Sequence, residues 1–132
     1  MIKLSFYDEN LDVIEKGEFS IYELDILLNE RILNSQCSFD DMEKMLSQTH
    51  FCLYRDDKDF LSVDVLNENL FSIESDRLYY PDNLFVRIRN LFRHKSYLSG
   101  KVDLKTVKQI CQDYMTLDRQ TFEDKYQVFY SY

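Results

Sequence analysis

Residues 51–75 read FCLYRDDKDFLSVDVLNENLFSIES, and the parity of their apolar positions decides the fold. Phe51 and Leu53, then Leu61, Val63 and Val65, then Phe71 and Ile73 recur every second residue. That period sends one side of a β-strand into a core and leaves the other wet. The polar breaks Asp56-Asp57-Lys58-Asp59 and Asn67-Glu68-Asn69 divide the stretch into strands at 51–55, 61–66 and 70–75, a meander. Taking Asn67-Glu68-Asn69 as a three-residue loop pairs Val65 with Phe71 and Val63 with Ile73, so the apolar sides coincide. The other side then sets Ser62 opposite Glu74 and Asp64 opposite Ser72, with no two carboxylates face to face. For the first hairpin, inward Phe51 and Leu53 demand an odd loop, and three or five residues both satisfy that.

Working toward the N-terminus, Ile2, Leu4 and Phe6 alternate with Lys3, Ser5 and Tyr7, and a second apolar run occupies 13–19. The first twenty residues therefore predict a hairpin turning at 8–12, with Gly17 marking a bulge. Ser20 followed by Glu23 has capping-box spacing, and Ile21, Leu24, Leu27, Leu28 and Ile32 carry a helix to about Leu33. Ser38 with Asp41 gives a weaker start for a second short amphipathic helix bearing Phe39, Met42, Met45 and Leu46.

Toward the C-terminus, residues 78–80 allow a short strand before Pro81, which blocks a central ladder. Asp82 or Asn83 caps a helix through Leu84, Ile88, Leu91 and Phe92, although a strand over 85–89 is also open. Ser99 and Gly100 are expected to break the chain. Asp103 then caps the strongest helical spacing in this half, Leu104, Val107, Ile110, Cys111 and Tyr114. Asp118 starts a last helix through Tyr126, ahead of an aromatic tail at 128–132. The expected class is α+β: one domain spanning 1–132, an antiparallel sheet of about five strands, and about four helices packed on one side.

Composition limits the functions this frame can serve. With 24 acids against 16 bases the net charge is -8, which opposes nucleic acid and anionic lipid and favours cationic partners. The charge is uneven: residues 1–83 hold 19 acids and 7 bases, for -12, while 84–111 hold 7 bases and 1 acid, for +6. The longest apolar run is four residues, 51–54, against the ~20 a membrane span needs. The opening ten residues lack the apolar centre and cleavage site of a secretory signal, so a cytoplasmic location is expected. Cys37, Cys52 and Cys111 are too widely spaced for a paired metal or redox motif, so no metal and no cofactor are expected.

Enzyme chemistry finds little purchase in the sequence. His50 and His94 fall on different elements, and the two glycines cannot form a phosphate-cradling loop. A small hydrolase or transferase would need a concave pocket holding one of these histidines beside a carboxylate or Cys52. A binding surface is better supported. Tyr54, Asp64 and Glu74 fall on outward strand positions beside the acidic turn Asp56, Asp57 and Asp59. Tyrosine supplies contact area and carboxylates supply selectivity, so these six are the expected partner contacts. Charge reversal at Asp56, Asp57 and Asp59 should weaken partner capture and leave thermal unfolding nearly unchanged.

Two stretches are similar to a known class: Ile2-Lys3-Leu4-Ser5-Phe6-Tyr7-Asp8-Glu9-Asn10, and Gly100-Lys101-Val102-Asp103-Leu104-Lys105-Thr106-Val107 leading into a helix. With its small, acidic, aromatic-rich character, the chain resembles bacterial immunity proteins of polymorphic-toxin and contact-dependent growth inhibition systems. The resemblance implies tight stoichiometric binding of a cognate protein toxin with a basic surface, commonly a nuclease. It assigns no binding residue, and monomer and homodimer both stay open. The alternative expectation is a phage or mobile-element accessory protein, an interaction subunit contacting its assembly through the aromatic tail.

Overall fold

The computed structural model describes residues 1–79 and 97–126. Six strands form one antiparallel sheet in the order β2-β1-β3-β4-β5-β6. They are β1 (Lys3–Tyr7), β2 (Val13–Glu18), β3 (His50–Tyr54), β4 (Phe60–Asn67), β5 (Leu70–Asp76) and β6 (Tyr97–Val102). Helices α1 (Leu24–Ser35), α2 (Met42–Thr49), α3 (Leu104–Thr116) and α4 (Arg119–Lys125) accompany it. The α+β class and the helices on one side are as expected, and the sheet has one strand more than about five. The extra strand is β6. Ser99 and Gly100 do not break the chain but lie within β6, opposite Glu74 and Ile73. Long-range pairing with β5 overrides their weak strand preference.

The meander has the register that its parity requires: Val63 faces Ile73, Val65 faces Phe71, Ser62 faces Glu74 and Asp64 faces Ser72. The turn is tighter than a three-residue loop, because Asn67 itself pairs with Leu70 and Leu66 is taken up as a bulge. Between β3 and β4 the loop has five residues, 55–59, closed by the Arg55 N–H donating to the Asp59 carbonyl at 2.8 Å. In the first hairpin Gly17 sits at φ +88° beside a bulge, a left-handed conformation that glycine adopts without steric cost.

Helix starts follow the caps. Ser20 and Glu23 form the capping box, which opens a short 3-10 turn (Ile21–Glu23) before α1. Asp41, Asp103 and Asp118 accept N–H bonds at the starts of α2, α3 and α4, so at the second site Asp41 rather than Ser38 is the cap. Leu24, Leu27 and Leu28 of α1, Val107, Ile110, Cys111 and Tyr114 of α3, and Phe122 of α4 share one core with the inward side of the sheet. Phe51, Leu53, Leu61, Val63 and Phe71 are completely buried there, each contributing about 1.5–3 kcal/mol. Leu78 and Tyr79 are not in a strand. The helix expected after Asp82, His94 and the tail at 128–132 lie outside the described residues.

Candidate partner-binding face

Because the described helices all pack on one side, the other side of the sheet carries no layer among the described residues, and the antiparallel register fixes what it displays. One row across the strands runs Glu15, Ser5, Cys52, Ser62, Glu74, Ser99. The next runs His50, Asp64, Ser72, Lys101, with Tyr7 stacked on the His50 ring at 4.2 Å and 16°. At the other end Lys3, Tyr54 and Phe60 lie side by side. Tyr54, Asp64 and Glu74 therefore share this face. Asp56 and Asp57 are exposed in the turn at its end, with Asp56 closing that turn by accepting the N–H groups of Lys58 and Asp59 at 2.8 and 2.9 Å. Those bonds hold the Asp56 carboxyl below its ordinary value.

Acidity is felt by the tyrosines themselves. The Tyr54 phenol is raised by burial and then by the nearby Glu15 carboxylate. Tyr7 is raised by burial and then by Cys52, Asp64 and Glu74. Glu15 is a contributor that sequence reasoning missed. Its proximity to Tyr54 exists only because β1 inserts between β2 and β3, a long-range arrangement without a local signal.

Asp59 departs from the expected surface role. It is 7% exposed and turned inward. Its Oδ1 accepts from the Tyr114 hydroxyl at 2.9 Å and from Arg119 Nη1 at 3.2 Å, while Arg55 Nη1 lies 3.4 Å from Oδ2. Arg119 also donates to Glu123 at 2.9 Å, to the Ser75 hydroxyl at 3.0 Å and to the Asp76 carbonyl. Glu123, 1% exposed, accepts the backbone N–H groups of Leu78 and Tyr79, which explains why this segment leaves the ladder. The third aspartate of the turn thus anchors the meander to α3 and α4.

His50 is the other group whose setting was unforeseen. Asp64 Oδ1 lies 2.8 Å from its Nδ1 and Ser62 Oγ lies 3.4 Å from its Nε2. That order of groups is the order of an acyl-transfer triad. Acyl transfer also needs positioned donors for the developing oxyanion. Ser62 sits mid-strand in β4, flanked by β3 and β5, so the neighbouring backbone N–H groups are engaged in ladders. The chain Ser62-His50-Asp64 chiefly fixes an imidazole, only 4% exposed, beneath Tyr7. The Cys52 thiol is pushed up to about 11 by burial, which leaves it protonated and weakly nucleophilic at neutral pH. Among the described residues no cluster of three or more His, Cys, Asp or Glu side chains is arranged to hold a metal ion.

Two hollows flank these features. One, of about 230 Å³, lies on the open face between Tyr54, Phe60 and Glu15. The other, of about 550 Å³, lies between the N-terminus and the end of α3. Its Glu23 is committed to the Ser20 cap and its Arg55 to the Tyr114 and Leu117 carbonyls, so these two polar groups are already satisfied internally. No described helix is long and apolar enough to cross a membrane. No protein-family model, characterised protein or solved structure was found to match the chain.

Proposed function

We propose that this chain is an immunity protein that acts in the cytoplasm by binding a cognate toxin with a basic surface and covering its active-site groove. The observation that carries this is the sheet face that the described residues leave uncovered, on which, among those residues, Glu15, Asp64, Glu74 and Asp76 outweigh Lys3 and Lys101 around a group of aromatic rings. Carboxylates on a rigid sheet steer a cationic partner and select for it, and tyrosine gives contact area with little rotamer loss. Asp56 and Asp57 extend the same negative edge. The protein performs no chemistry in this role; it excludes substrate by occupation.

A second reading, an interaction subunit of a phage or mobile-element assembly, is favoured by a different surface. Tyr22, Ile26 and Leu33 are 90%, 70% and 65% exposed and recur at helical spacing along α1 and the turn before it. Co-expression with a candidate toxin domain, sought among the genes neighbouring this chain's own, separates the two. The immunity reading expects restored growth, a stoichiometric complex, and slower association when Asp57 and Glu74 are both changed to Lys. Unrelieved killing with no complex overturns it and leaves the second reading; a toxin complex lost on Ile26→Asp but not on the double reversal keeps the toxin as partner and moves the contact from the sheet face to α1.

A further inference from the structure

The hollow on the open face has a particular chemistry. Tyr54 and Phe60 face each other across β3 and β4 and form aromatic surface at its floor. Cys52, protonated and apolar in behaviour, adds to the floor. Carboxylates line it from two elements, Glu15 from β2 and Asp56 and Asp57 from the turn after β3, of which Asp56 is already engaged by the Lys58 and Asp59 N–H groups. At about 230 Å³ it is smaller than the roughly 300–1,000 Å³ usual for small-molecule sites, so it suits a single long side chain better than a metabolite.

We infer that this hollow receives one arginine side chain of the partner protein. The inference rests on the proposed binding role and names the group that the face grips. An aliphatic stem lies well on apolar surface. A planar guanidinium stacks on tyrosine and phenylalanine rings and presents donors to carboxylates on both sides, which a compact ammonium does less well. This chain uses the same combination internally, where the Arg55 guanidinium lies 4.8 Å from the Tyr114 ring centre and beside Asp59.

Titration of the labelled protein with N-acetyl-arginine methylamide, followed by amide and aromatic NMR shifts, tests the assignment. Saturable shifts are expected at Glu15, Cys52, Tyr54 and Phe60, with affinity several-fold above that of the lysine analogue and at least ten-fold above that of the neutral citrulline analogue. The double variant Glu15→Gln, Asp57→Asn, which alters only exposed carboxylates, should lose most of that preference while keeping its circular dichroism. Equal binding of citrulline, or shifts spread evenly to Glu30 and Glu43 on the helices, overturns the inference. Arginine seated in the hollow of a chain that rescues no toxin supports the hollow and removes the immunity reading. A toxin complex that leaves Glu15 and Asp57 uncovered does the reverse.

Discussion

Asp59 gives the sharpest energetic test, because its neighbours in sequence and its neighbours in space make opposite demands. Asp56 and Asp57 face water, whereas Asp59 sits against Arg119, whose side chain is 5% exposed. Asp59→Asn preserves shape and one acceptor for Tyr114. It removes a charge facing two guanidiniums, Arg119 at 3.2 Å and Arg55 at 3.4 Å, and points an amide donor at donors. Removing one partner from a buried ion pair costs about 3–5 kcal/mol. Arg119 keeps Glu123 at 2.9 Å and Arg55 is a quarter exposed, so the lower end, about 3 kcal/mol, applies. With 132 residues, and about 2.1 cal/mol/K of unfolding entropy per residue, this lowers Tm by about 10 °C. Asp57→Asn should stay within about 0.5 kcal/mol of the parent. Urea unfolding and thermal melts of both variants measure the contrast. An Asp59→Asn protein as stable as Asp57→Asn would refute the anchoring role. Charge reversal at all three aspartates accordingly perturbs folding as well as binding: Asp59 anchors the core and Asp56 closes the turn, so Asp57 is the one of the three suited to reversal.

Thiol chemistry should separate the three cysteines. Cys37 is exposed, while burial raises Cys52 to about 11 and Cys111 to about 12. One thiol should therefore react with an aromatic disulfide reagent in the native protein at pH 8 and three in denaturant; fast reaction of two native thiols contradicts the packing of β3. Acid should weaken the fold through the helix caps. Asp103 is held below its ordinary value chiefly by the Thr106 hydroxyl, and Asp118 chiefly by the Thr121 N–H. The folded state then binds fewer protons than the unfolded chain, so the stabilisation is complete above the unfolded value near pH ~4 and is lost as pH falls through the lower folded values. Replacing both by Asn, which caps without titrating, should flatten urea midpoints measured between pH 5 and 2.5, and an unchanged slope contradicts the assignment.

The sheet was legible where one side is apolar and the other polar, since a one-residue slip would turn Val63, Val65, Phe71 and Ile73 outward. The face bearing Tyr54, Asp64 and Glu74 follows from that register alone. Two features were not legible. A strand containing Ser99 and Gly100 has no local preference and exists because β5 offers its edge. The inward turn of Asp59 depends on Tyr114 and Arg119, 55 and 60 residues further along the chain. The His50-Asp64 pair lay within reach, because the five-residue loop, one of two that parity allowed, places these residues directly opposite.

Carboxyl labelling of the reconstituted toxin complex, read by mass spectrometry residue by residue, tests most directly whether the open sheet face is the working surface. Glu15, Asp57 and Glu74, all exposed in the free chain, should lose labelling several-fold on binding, while Glu30 and Glu43 on α1 and α2 keep theirs. Protection of the helix carboxylates, with the three sheet-face carboxylates still labelled, would contradict the account.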